Sequence, residues 1–123
     1  MDALIVALLP ALAMIESGNN PAAIGDNGHA VGIYQLHEVY VDDANIISGQ
    51  NYTYADRLNP EKSQEMVHIY LNYYGIRYER LTGKPVTAEV LAAIHNGGPD
   101  GWKKPSSQAY AERVVALMER MEK

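Results

Sequence analysis

Apolar side chains run almost unbroken from Ala3 to Ile15, with only Pro10 between them. The run predicts a helix over about residues 3–17, stopped by Gly18 and the turn Asn19-Asn20-Pro21. Pro10 is either a kink within it or a late helix start. Between residues 18 and 32 the apolar pattern lapses, and glycines 18, 25, 28 and 32 alternate with Asn and Asp. That predicts a structured loop with a small β-hairpin around Asp26-Asn27-Gly28. Ile33 to Leu36 alternates weakly, as a short extended piece does, residues 38–47 have a helical pattern, and Ser48 to Asn59 reads as loop.

Asn59-Pro60-Glu61 is a helix start: Asn caps, Pro takes the first helical position, and Glu complements the dipole. Val67, Tyr70, Leu71, Tyr74, Tyr78 and Leu81 then recur on one helical face. Gly75 is placed to bend this helix and Gly83 to end it. Thr87 caps a short helix to about Asn96, residues 97–105 form a Gly/Pro-rich loop, and Ser106 or Ser107 starts the last helix. Tyr110, Val114, Leu117, Met118 and Met121 make its buried stripe. The expected class is mainly α, an α+β arrangement of four to six helices with a small β-hairpin and loop region after the first helix.

Composition narrows the classes. With 123 residues, 47% hydrophobic and 20% charged, the chain suits a single domain over 1–123 and excludes global disorder. A net charge of −5 lacks the basic footprint of a nucleic-acid binder. Without cysteine, disulfide scaffolds and Cys-based metal or redox sites are excluded. The run from Ala3 to Ile15 is too short to span a bilayer, so no membrane insertion is expected. It also lacks the basic start of a signal peptide, since its flank carries only Asp2.

Two carboxylates carry candidate chemistry. Glu16 ends the first apolar helix, beside Ile15, where it opposes the helix dipole. A carboxyl half-buried there is held protonated by desolvation, as a general acid requires; the ordinary alternative is a solvated Glu at a helix end. Asp26 follows in Gly25-Asp26-Asn27-Gly28, as a turn residue or as a second carboxylate across a groove. Glycosidases use such pairs, about 5–5.5 Å apart for retention and about 6.5–9.5 Å apart for inversion. The segment lacks the terminal Glu of a calcium loop. His29, His37, His68 and His95 have no zinc-ligand spacing, so no metal and no cofactor are expected. His68 is an ordinary helix residue, whereas His95-Asn96-Gly97-Gly98 either caps a helix or brings polar groups to a ligand. Nucleophile-elbow, Walker and dinucleotide motifs are missing.

Four segments follow in order: Glu16-Ser17-Gly18-Asn19-Asn20-Pro21-Ala22-Ala23, Gly32-Ile33-Tyr34-Gln35-Leu36, Ala92-Ala93-Ile94-His95-Asn96-Gly97-Gly98 and Tyr110-Ala111-Glu112-Arg113-Val114. Together they resemble the lysozyme-like lytic transglycosylases and goose-type lysozymes, over nearly the whole chain. The resemblance implies a lysozyme-like fold and cleavage of the β-1,4 bond between N-acetylmuramic acid and N-acetylglucosamine in peptidoglycan. Glu16 then matches the family's catalytic acid, Ser17 the Ser that supports it, Gln35 the groove Gln and Asn96 the Asn lining the sugar site. His95 stands where the family usually has Tyr, an imidazole in place of a phenol over the sugar. Gly25 to Gln35 resembles the goose-type segment whose Asp positions the attacking water, which lytic transglycosylases usually lack. Asp26 therefore favours hydrolysis over formation of a 1,6-anhydro product. A second goose-type Asp is replaced by His37, so the water site rests on Asp26 alone or with His37.

Tyr34 is the Tyr of the Gly-x-x-Gln segment and joins Ser17, Gln35, His37, His95 and Asn96 as an expected substrate-binding residue. Tyr40, Tyr52 and Tyr54 are further candidates to hold sugar rings. The expected partner is the peptidoglycan glycan strand, met in the periplasm or outside the cell by a monomer such as a phage endolysin or bacterial autolysin. A catalytically dead glycan-binding module and a structural part of a larger assembly are the alternatives.

Overall fold

A computed structural model describes residues 1–123 as five α-helices and one two-stranded antiparallel sheet. In chain order they are α1 (Asp2–Ser17), β1 (Ile24–Gly25), β2 (Ala30–Val31), α2 (Glu38–Ser48), α3 (Pro60–Thr82), α4 (Ala88–Gly97) and α5 (Pro105–Met121). This is the mainly helical class with a small β-hairpin after the first helix that the sequence leads one to expect. Single 3₁₀ turns lie at Asp26–Gly28, Tyr54–Leu58 and Gly101–Lys103. No helix is long and apolar enough to cross a membrane.

The chain divides into two compact units, one of Met1–Leu12 with Leu71–Lys123 and one of Ala13–Tyr70. The divisions fall inside α1 and α3. Helix α1 begins at Asp2, so Pro10 is an interior residue and not a late start. Proline supplies no N–H to the turn before it, and here it lies on the exposed side.

In the first unit the buried residues include Ile5, Leu8, Leu12, Leu71, Leu91, Ile94 and Val114. Burial of each such aliphatic side chain contributes about 1.5–3 kcal/mol. Helix α4 packs on α5 and on the turn Gly101–Lys103. Thr87 caps α4 by accepting from Val90 N at 3.2 Å. Helix α5 starts at Pro105 rather than Ser106 or Ser107, because proline at the first position needs no N–H partner. Ser107 is instead a buried residue inside that helix.

Two faces differ from the pattern expected. Leu81 is 58% exposed. It falls on the row of Tyr73 and Arg77, spaced by four residues, and not on the row of Tyr74 and Tyr78. Met121 is 47% exposed, because the last turn of α5 borders an open cleft of about 200 Å³ with Met118, Ala7, Pro10 and Ala11. Gly75 lies buried in an uninterrupted α3, where a β-carbon would meet Leu91 Cδ2 and Met1 Cε at 3.1 Å each. Its service there is close packing.

The second unit is built around a double reversal. Strands β1 and β2 pair Ile24 with Val31 and Gly25 with Ala30. Val31 then bridges to Leu36 across a second tight turn. Gly32 enters that turn at φ +88°, and a β-carbon on it would lie 1.9 Å from the Arg57 carbonyl oxygen. Only glycine meets both conditions.

The expected loop 48–59 contains the turn Tyr54–Leu58 and is tightly held. The Asn45 side chain accepts from Tyr52 N at 2.8 Å and donates to Tyr52 O at 2.9 Å. Asp56 Oδ2 accepts from Thr53 N at 2.8 Å. Asn59 Oδ1 accepts from Lys62 N at 3.0 Å, the cap expected for α3. Tyr40 stacks on Tyr70 with ring centroids 3.8 Å apart, and both are buried. Tyr52 donates to Glu65 Oε1 at 2.6 Å.

Two outcomes follow from this packing. Gly32→Ala destabilises the protein by about 2–4 kcal/mol, read as a lower urea midpoint; an unchanged midpoint would show that the Arg57 carbonyl gives way freely. Burial, then the bond to Glu65, pushes the Tyr52 phenol from 10.0 up to about 12. A raised folded value means a contribution that is complete below pH 10.0 and lost as pH rises through about 12. Melting curves across that interval show wild type losing stability relative to Tyr52→Phe; parallel curves would contradict it.

Candidate functional site

Six of the eight expected site residues, Glu16, Ser17, Asp26, Tyr34, Gln35 and His37, belong to the unit Ala13–Tyr70. Glu16 lies half-buried in the last turn of α1, which carries no basic residue. Ser17 ties that turn to the second reversal: its Oγ donates to Ile33 O at 2.7 Å and accepts from Asn20 N at 3.0 Å. Position 17 therefore fixes the helix end that carries Glu16 against the segment 32–36.

Asp26 sits at the hairpin tip with its backbone at φ 51°, followed by Asn27 at φ 55°. Both residue types tolerate this left-handed geometry better than most. The Asp26 carboxylate is 60% exposed and its Oδ2 lies 3.2 Å from His37 Nε2. His37 precedes α2 at its N-cap, and its ring stacks loosely on His29 with centroids 6.4 Å apart. The structure thus brings together a wet carboxylate and an imidazole eleven positions apart in sequence.

Gln35 also has a positive φ, 53°, which is less usual for its residue type. Its amide nitrogen donates to Ala23 O at 3.1 Å and to Gly32 O at 3.0 Å. A β-carbon on Gly25 would lie 2.5 Å from Gln35 Oε1. Both N–H donors of the side chain therefore brace the double reversal, and its carbonyl oxygen packs on β1. Tyr34 is a core residue at 5% exposure, and burial raises its phenol above the ordinary value. Its ring offers no open face for a sugar to stack on.

The remaining tyrosine candidates differ. Tyr40 is buried in its stack with Tyr70. Tyr54 is 43% exposed, and its hydroxyl donates to Asp42 Oδ1 at 2.9 Å, the main cause of its raised pKa. His95 and Asn96 belong to the other unit, at the end of α4. His95 is buried. Asn96 is exposed, and its Oδ1 accepts from the buried Ser107 hydroxyl at 3.0 Å. That bond directs the oxygen inward and leaves the Asn96 amide donors for another acceptor.

Sequence reasoning missed Arg57. It is 7% exposed, and its guanidinium donates to Tyr54 O at 2.8 Å, Leu36 O at 3.0 Å and His29 O at 3.3 Å. An arginine amid turn residues ordinarily reads as solvated, and its carbonyl partners are 21 and 28 positions away. No group of three or more His, Asp or Glu residues could hold a metal ion.

Residues 1–114 match the family model described as the transglycosylase SLT domain. The chain belongs to the SLT transglycosylase family. This SLT domain, of the lysozyme-like superfamily, is 32% identical over 104 residues to Lysozyme 1 of Crassostrea virginica, covering 83% of this chain and 53% of that protein. It is 29% identical over 116 residues to a lysozyme of Magallana gigas, covering 88% of this chain and 76% of that protein. The chain thus spans about half the length of the first of these relatives. Among solved structures it resembles a chain in the crystal structure of Aeromonas hydrophila PliI in complex with Meretrix lusoria lysozyme. The TM-score is 0.73 at 25% identity, over 90% of this chain and 88% of that one.

The Ser17 bridge has a direct test. Ser17→Ala leaves Ile33 O without its hydroxyl donor and lowers stability by about 1–2 kcal/mol. Urea unfolding measures it, and a change below about 0.3 kcal/mol would show that water replaces the hydroxyl without loss.

Proposed function

We propose that this SLT domain is a single catalytic domain that hydrolyses the β-1,4 bond between N-acetylmuramic acid and N-acetylglucosamine in peptidoglycan. The observation that carries this reading is the solvated Asp26 carboxylate held 3.2 Å from His37, on the hairpin that follows the Glu16 helix end. Glu16 is the general acid and donates its proton to the leaving glycosidic oxygen. The transition state is oxocarbenium-like and gains from nearby negative charge. Asp26 supplies that charge and takes a proton from the attacking water, while His37 orients the carboxylate. Ser17 and Gln35 hold the backbone on which the two carboxylates stand.

The lysozyme names of the oyster relatives support hydrolysis, whereas the family description supports the transglycosylase alternative. In that alternative Glu16 is the only acid and base, and the muramyl 6-hydroxyl replaces water. The cell wall of bacteria is the proposed place of action, and the protein works as a monomer. With a net charge of −5, it gains no electrostatic attraction to an anionic wall, so unaided activity on intact cells is weak.

Mass spectrometry of products from purified peptidoglycan tests the reading. Reducing-end muropeptides are expected. Glu16→Gln lowers their rate by about 10²–10⁴-fold, and Asp26→Asn by about 10–10²-fold. Anhydro-muropeptides would make the domain a lytic transglycosylase and reduce Asp26 to a turn residue. No product from folded protein at any pH would leave a binding or structural module.

A further inference from the structure

The Asp26–His37 pair is exposed and joins two residues eleven positions apart, Asp26 on left-handed backbone and His37 on extended backbone. Exposed pairs of this kind contribute little stability of their own. Something else must hold the two backbones in register. The geometry points to Arg57 as the positioning residue of this pair, an inference that rests on the hydrolytic reading above.

One nitrogen of its guanidinium, Nη1, donates to both His29 O and Leu36 O. Each carbonyl belongs to one arm of the pair. His29 N donates to Asp26 O at 3.1 Å, closing the turn that carries Asp26. Leu36 immediately precedes His37 and is bonded to Val31 in both directions at 3.1 Å. The guanidinium therefore bridges the end of the Asp26 turn to the residue beside His37.

Arg57 is itself fixed. Its Nε donates to Tyr54 O, its Cζ lies 5.6 Å from the Tyr54 ring centroid, and its own carbonyl abuts Gly32. Tyr54 is anchored in turn to Asp42 of α2. Burying a guanidinium against carbonyl oxygens is costly unless its donors are well matched, and here three bonds are made. Lysine keeps the charge but has no fork able to reach the Tyr54 carbonyl and the other two together. A site built only for stability is served as well by apolar packing. Bonding to the two carbonyls that flank the pair gives the charge a specific service.

The test is a double-mutant cycle between Arg57→Lys and Asp26→Asn, with kcat and KM measured on peptidoglycan fragments and amide hydrogen exchange followed alongside. Arg57→Lys is expected to lower kcat about tenfold with KM changed less than about twofold. In the Asp26→Asn background the same change costs less than about twofold, because the pair it positions is already disabled. Exchange at the Val31 and Leu36 amides rises about tenfold, while Met66 and Val67 in α3 hold their rates. An equal loss of kcat in both backgrounds would make Arg57 merely structural and overturn the inference. Unchanged exchange at Val31 and Leu36 would overturn it as well. If wild type cleaves nothing, the hydrolytic reading fails separately, and exchange alone decides whether Arg57 braces the double reversal.

Discussion

The carbonyl oxygen of Arg57 lies where any residue but glycine at position 32 would place its β-carbon. That close approach lets two stretches of irregular backbone, 24–36 and 49–59, pack without an intervening side chain. The Arg57 side chain then reaches the carbonyls of His29 and Leu36 in the double reversal, and Gln35 and Ser17 bond to those of Gly32 and Ile33 between them. Irregular backbone has no ladder of its own to satisfy its polar groups. Here those groups are matched one by one by side chains, which is why so short a hairpin holds a defined shape.

Polar side chains in this unit consequently serve the main chain more than one another. Asn45, Asp56, Gln35, Ser17 and Arg57 each bond to backbone atoms of residues outside regular structure. The exposed pairs, Asp26 with His37 and Tyr54 with Asp42, stand on the surface that this scaffold presents. Rigidity comes from main-chain matching and is separate from the charges that face water. The same separation appears at α4, where buried Ser107 fixes the Asn96 oxygen and leaves its amide hydrogens outward.

Much of the fold was legible because capping and periodicity are local. Thr87, Asn59 and Gly18 mark helix ends by chemistry that acts within four residues. The hairpin at Asp26-Asn27-Gly28 was legible for the same reason, since left-handed residues collect at turns. Leu81 and Met121 were misplaced because a hydrophobic face read from sequence carries no record of where its partner stops. Glu16, Asp26 and His37 stood out as isolated residues, but their pairing needed coordinates. Arg57 left no trace, because its partners are carbonyl groups, which every residue possesses. Burial of Tyr34 and His95 was equally hidden, since tyrosine and histidine serve both core and groove.

The division of the chain bears on its synthesis. Residues Met1–Leu12 belong to the same compact unit as Leu71–Lys123, and the whole of the other unit lies between them in sequence. A ribosome adding about 5–20 residues per second delivers the intervening stretch over roughly 3–12 s. During that time the first turns of an apolar helix lack the side chains they pack among, whereas Ala13–Tyr70 is contiguous in sequence and whole at the end of it. The stretch Ala13–Tyr70 can thus pack within itself before Leu71–Lys123 exists, whereas Met1–Leu12 must wait for that later stretch.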